Sequence, residues 1–127
     1  MGSVVLDANV AIAFLDPTDA SHGLAVDHLG SAIARGDELL IPASAYAETL
    51  VRPMRDGRDD EYERFVDCAG VTVMPLDRDL ARSAARLRAK RRSLALGDAL
   101  VLATALERGA ELLTFDQRLQ RAAREEL

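Results

Sequence analysis

The chain has 127 residues, which suits one domain and leaves little room for a second. Hydrophobic residues make up 49%, but aromatics only 4% with no Trp, so the core must be built from Leu, Val, Ile and Ala. A formal charge of −5 argues against a generic nucleic-acid or anionic-membrane binder, yet allows a local basic track or an acidic pocket filled by cations.

Residues 3–6 read as a β-branched and aliphatic strand that delivers Asp7. Residues 10–15 form a short helix or turn stopped by Pro17, and residues 19–35 a helix capped by Gly36, with Leu24, Ala25, His28, Leu29, Ala32 and Ile33 at helical spacing. A second strand at 39–41 ends at Pro42. Residues 43–51 form a helix that stops before Pro53, because a residue preceding proline is pushed out of helical geometry. Its apolar members are Ala43, Ala47, Leu50, Val51 and Met54. A polar loop at 56–60 leads into a helix at 61–68, followed by a third strand at 71–74 and a long helix at 77–92. Residues 98–108 are apolar on nearly every side, which predicts a helix buried on most faces and ended by Gly109. A fourth strand at 111–114 and a final helix at 117–124 complete the chain.

Strands separated by helices favour a parallel sheet, because parallel neighbours need crossover connections that cover its faces. The expectation is a single three-layer α/β domain over 1–127 with a central parallel sheet of four to five strands. No apolar run is long enough to span a bilayer, and no basic segment precedes a signal-type stretch, so a cytoplasmic protein is expected. Cys68 is the only cysteine, which excludes an intrachain disulfide and the Cys-rich zinc patterns.

In parallel sheets, functional groups gather beyond the carboxyl ends of the strands. Asp7 follows the first strand directly and Asp116 lies just past the last. Glu48 and Asp98 join them as carboxylates in telling positions. Each has an ordinary structural role open to it. Asp7 suits an Asx-turn, Glu48 an i,i+4 pair with Arg52, and Asp98 and Asp116 the caps of the helices they precede. Taken together they read differently. Glu48 and Ser44 share one strip beside the apolar face of their helix, and Asp98 opens the most apolar helix in the chain. Carboxylates brought together repel, and one must take up a proton unless a cation intervenes. Mg²⁺ or Mn²⁺ meets that need, since hard divalent ions take oxygen ligands and can activate a water against a phosphodiester. Asn9, Ser44 and Thr114 are placed to orient the acids.

The stretches "VVLDANV" with Asp7 and Asn9, "IPASAYAETL" with Ser44 and Glu48, "LALGDALVLATAL" with Asp98, and "ELLTFDQRL" with Thr114 and Asp116 resemble the PIN-domain ribonucleases. Within that family the chain is similar to the VapC-type toxins of bacterial toxin–antitoxin pairs. The resemblance runs from the first strand to the last and rests on four motifs in order. It implies a three-layer α/β/α sandwich, Mg²⁺- or Mn²⁺-dependent endoribonuclease activity, a homodimer, and neutralisation by a small VapB-like antitoxin. Asp7, Glu48 and Asp98 match the family's core metal-site acids, and Asp116 the more variable fourth. The chain departs from the family at Gly97, where Pro, Ala or another residue often precedes the third acid.

Arg82, Arg86, Arg88, Lys90, Arg91 and Arg92 form one basic track leading toward Asp98. Arg86, Lys90, Arg91 and Arg92 are candidate RNA contacts, and a solvated helix end is the equally ordinary alternative. His22 and His28 lack a metal-pair spacing, and Cys68 is expected to be a small packed side chain. Phe14, Tyr46, Tyr62 and Phe65 are expected in the core, while Phe115 suits either core or surface. Two rival functions remain open: a PIN-like module that binds RNA or a partner without cutting, and a haloacid-dehalogenase-like phosphatase. The latter family needs a second Asp where this chain has Asn9.

Overall fold

The computed structural model describes residues 2–127, so of the expected domain only Met1 lies outside. Four parallel strands form one sheet in the order β3-β2-β1-β4. In chain order the elements are β1 (Ser3–Leu6), α1 (Ala8–Leu15), α2 (His22–Ala34), β2 (Glu38–Pro42), α3 (Ala43–Arg55) and α4 (Asp59–Cys68). There follow β3 (Val71–Met74), α5 (Arg78–Lys90), α6 (Leu96–Arg108), β4 (Glu111–Leu113) and α7 (Gln117–Glu126).

The pleat of β1 divides the core. Val4 and Leu6 pack with Val10 and Ala13 of α1 and Ala25, Leu29 and Ala32 of α2. Val5 faces the other way, into a larger cluster with Leu80, Ala84 and Leu87 of α5 and the apolar body of α6. Those two layers around the sheet give the expected α/β/α sandwich. Ala84, Ala99 and Ala105 are fully buried, and their small side chains let α5 and α6 approach each other closely. Gly36 and Gly109 end α2 and α6 as expected, with φ of 76° and 58°, a left-handed backbone that favours glycine. Among the described residues no helix is long and apolar enough to cross a membrane.

Several elements differ from expectation. Helix α1 starts at Ala8, not at residue 10, because Asp7 itself caps it. Helix α2 starts at His22, since Asp19 accepts a hydrogen bond from the Ser21 amide and closes a turn first. Helix α3 runs through Pro53 to Arg55. A proline in the last turn removes one donor only, and the amides of Asp56, Gly57 and Arg58 close onto the carbonyls of Arg52, Met54 and Pro53.

The buried face of α3 is also not the apolar one. Ala45 and Thr49 point inward, while Ala47, Val51 and Met54 are exposed. Burying Thr49 is tolerated because its hydroxyl donates to the Tyr46 carbonyl and is bonded to the Tyr62 hydroxyl. Cys68 is exposed at the end of α4 and not packed. The aromatic side chains of Phe14, Phe65, Tyr62 and Tyr46 form a continuous row of tilted contacts.

Leu40 is fully buried in the middle of β2. Leu40→Ala is expected to lower unfolding free energy by about 2–5 kcal/mol, the range for a cavity left in a tightly packed core. Equilibrium urea denaturation, read as a shift in midpoint at unchanged slope, checks this.

Candidate active site

The carboxyl edge of the sheet is organised around Thr114. β1 ends at Leu6, and the Asp7 amide still donates to the Leu113 carbonyl at 3.0 Å, so Asp7 is held in line with β4. Its carboxylate is buried, and both oxygens are answered. Oδ1 accepts from the Ala8 amide at 2.8 Å, the capping bond of α1, and Oδ2 accepts from the Thr114 hydroxyl at 2.7 Å. Thr114 Oγ1 in turn accepts from Asn9 Nδ2 at 3.3 Å and from the Asp116 amide at 3.1 Å. Asn9 Oδ1 accepts from the Phe115 amide at 3.2 Å. Asn9 and Thr114 are therefore both hydrogen-bonded around Asp7 and the turn to Asp116.

Asp116 caps α7: its Oδ1 accepts from the amides of Arg118 and Leu119 at 2.8 and 3.2 Å. Asp98 is not a cap. Helix α6 begins at Leu96, with Ala95 as an N-cap that makes no side-chain bond, and Asp98 lies in the first helical turn. Glu48 projects from α3 against that same turn. A Cβ on Gly97 would stand 3.6 Å from Glu48 Oε1, an ordinary contact, so the glycine is not required by crowding there. Arg52 does not pair with Glu48 as its spacing suggested; it turns to Asp16 at 3.6 Å.

The four acids share one electrostatic field. Burial, and then the charges of Asp7, Asp116 and Glu48, push the Asp98 carboxyl up to about 6. Burial and then Asp7 raise Glu48. Asp7 is raised by burial, held back by its bonds to Thr114 and Ala8, and raised further by Asp116. No basic side chain contributes to any of these shifts. Oxygen-only donors of uniform negative charge suit Mg²⁺ or Mn²⁺. The carboxylates are not drawn into a ready-made cage: among the described residues no three His, Cys, Asp or Glu side chains form a group already set to hold a metal. The set fits such an ion by charge and donor chemistry, and binding would require the more exposed side chains to close in.

Other candidates fall elsewhere. Ser44, half-buried at the start of α3, makes no side-chain hydrogen bond among the described residues, so it does not orient Glu48 here. Lys90 and Arg91 are tied to the end of α7, with Lys90 Nζ 2.7 Å from Glu126 and Arg91 2.9 Å from both Glu125 and Glu126. Arg86 lines a hollow with Asp79, Lys90, Glu107 and Glu126 that includes none of the four acids. Arg92 is exposed past the end of α5. Sequence reasoning missed Gln120, whose Nε2 donates to the Thr114 carbonyl at 2.7 Å and braces the turn carrying Thr114 and Asp116. Its place one helical turn after Asp116 was the available signal.

The profile of the PIN domain family matches residues 4–125, and the chain belongs to that family. The solved sarcin–ricin-loop-cleaving toxin VapC20 of Mycobacterium tuberculosis superposes with a TM-score of 0.75 at 20% identity, over 94% of this chain and 95% of that one. FitAcB from Neisseria gonorrhoeae superposes at 0.73 with 22% identity, covering 95% and 93%. A toxin–antitoxin complex from Klebsiella pneumoniae gives 0.71 at 20% identity, covering 91% and 88%. No curated protein matches the sequence.

The raised Asp98 yields a pH dependence with a definite sign. Between its ordinary value of 3.8 and its folded value of about 6, the folded chain binds a proton that the unfolded chain has released. Stability therefore falls as pH rises through that window, and the loss is complete above it. Asp98→Asn is expected to melt above the wild type at about pH 7 without divalent ions, with the gap closing near pH 4. Added Mg²⁺ should raise the wild-type melting temperature more than the variant's. Thermal melts at both pH values, with and without Mg²⁺, check each part.

Proposed function

We propose that this chain is a Mg²⁺- or Mn²⁺-dependent endoribonuclease that acts as the toxin of a toxin–antitoxin pair. The observation that carries the reading is the gathering of four carboxylates at one sheet edge with no ion pair to any of them, close enough that burial and then the other three acids push Asp98 up. A scaffold gains nothing from such a cluster, whereas a divalent cation removes its cost. Asp7, Glu48, Asp98 and Asp116 would hold the ion, directly or through water. Once bound, the ion supplies a Lewis acid beside a phosphodiester and a more acidic water.

The chain's own part is orientation. Thr114 and Ala8 fix both oxygens of Asp7, and Asn9 locks Thr114 and the Phe115 amide. Asn9 is thus engaged in support through both its nitrogen and its oxygen, which disfavours the phosphatase reading that needs a free second acid there. The toxin VapC20 and the toxin–antitoxin complex from Klebsiella pneumoniae share this fold and support the toxin role and an antitoxin as partner. Exposed apolar side chains, Val51 and Met54 on α3 and Leu24 and Ile33 on α2, support protein partners, an antitoxin and a second copy of the chain.

Purified protein is expected to cleave RNA with Mg²⁺ and to lose the activity in EDTA. Asp7→Asn keeps an oxygen for the Ala8 amide but sets its NH₂ against the Thr114 hydroxyl, and it is expected to lower cleavage at least a hundredfold, as loss of a charged ligand does at an ion-dependent site. Mapping of RNA 5′ ends after incubation, with circular dichroism of the variant, tests this. Full cleavage by a folded Asp7→Asn protein would overturn the assignment.

A further inference from the structure

The hydrogen bonds around Thr114 deliver one ring whose position they do not require. Phe115 stands between Thr114 and Asp116, and its amide donates to Asn9 Oδ1, so the residue belongs to the turn that carries the fourth acid. Part of that ring packs on the cluster shared by β1, α1 and α2, and the rest is left half-buried. Facing it is His28 of α2, with ring centroids 6.4 Å apart and planes tilted by 52°. His28 is exposed, as is Leu24 one helical turn earlier on the same strip. Core packing accounts for the inner side of Phe115 but not for an exposed, tilted imidazole beside the ring. Arg118, two residues past Asp116, is exposed and makes no ion pair among the described residues.

We propose that Phe115 and His28 form a stacking subsite for an unpaired base of single-stranded RNA, beside the phosphate addressed by the acids. The inference rests on the nuclease reading above and adds a base-stacking contact to it. Proteins that read single-stranded RNA stack splayed bases on Phe and His rings, and every base offers a π-face. A chain of net charge −5 with four acids at its site repels phosphate, so affinity must draw on contacts that this field does not weaken. Ring stacking is such a contact. Arg118 supplies the cation for the adjoining phosphate.

The test compares a short oligoadenylate with an abasic ribose-phosphate chain of equal length. Binding is measured in EDTA, and cleavage separately in Mg²⁺. Phe115→Leu, which keeps apolar volume, and His28→Ala, at an exposed position, should each weaken oligoadenylate binding about 5- to 100-fold. Neither should change binding of the abasic chain, and Phe115→Tyr should restore the difference. Equal weakening on both chains would assign Phe115 a structural role and overturn the subsite, as would wild-type affinity in a folded His28→Ala together with Phe115→Leu. If the wild type neither binds nor cleaves RNA under any of these conditions, the nuclease reading itself fails, and the subsite with it.

Discussion

Asp7 lies buried at the end of a central strand, where a carboxylate persists only while its oxygens accept hydrogen bonds. One of its two donors is the Thr114 hydroxyl, and much of the site follows from that bond. A hydroxyl offers one donor and two acceptor positions. Thr114 uses all three, giving its proton to Asp7 and accepting from Asn9 and from the Asp116 amide. The bond therefore joins the end of β1 to the turn from which α7 starts. Gln120 holds the same residue from behind through its carbonyl. A single saturated side chain thus ties together two acids that are far apart in the chain.

Satisfying Asp7 does not neutralise it. The described ion pairs join Arg35 to Asp37, Arg52 to Asp16, Arg58 to Glu61, Arg108 to Glu38, and Lys90 and Arg91 to Glu125 and Glu126. None of them involves Asp7, Glu48, Asp98 or Asp116. These are largely exposed pairs of small individual value. The chain thus places its cations where they add little and leaves the acids that need them without any. That division is what the proposed divalent cation would account for.

How far the sequence disclosed this depended on the kind of signal. Asp7 and Asp116 were legible because strand ends follow from chain order and turn residues, and a parallel sheet puts both at one edge. Glu48 and Asp98 were legible in position but not in detail, since placing Asp98 inside the first turn of α6 depends on where that helix begins. The inward face of α3 was misread because hydropathy counts Thr49 as polar, whereas Tyr46 and Tyr62 satisfy its hydroxyl out of water. The pairing of the basic run of α5 was hidden for the opposite reason. Lys90 and Arg91 look free until α7 folds back and brings Glu125 and Glu126 against them, at a sequence separation no local pattern reports. The Phe115–His28 pair was equally hidden, because only the packing of α2 beside β4's exit brings those rings together.

The ordinary and the functional readings of these acids also turn out not to compete. Asp7 caps α1 and Asp116 caps α7, as common helix-start residues do, and in each the cap engages Oδ1. The Oδ2 of Asp116 makes no hydrogen bond among the described residues, and that of Asp7 meets only a neutral hydroxyl. Each helix start contributes amide dipoles that make a negative group there less costly, and so helps to hold the charge a cation would meet. Asparagine keeps the capping oxygen and removes the charge, whereas alanine removes both. A comparison of the two substitutions at Asp116 therefore separates what the carboxylate does for the helix from what it does for the site.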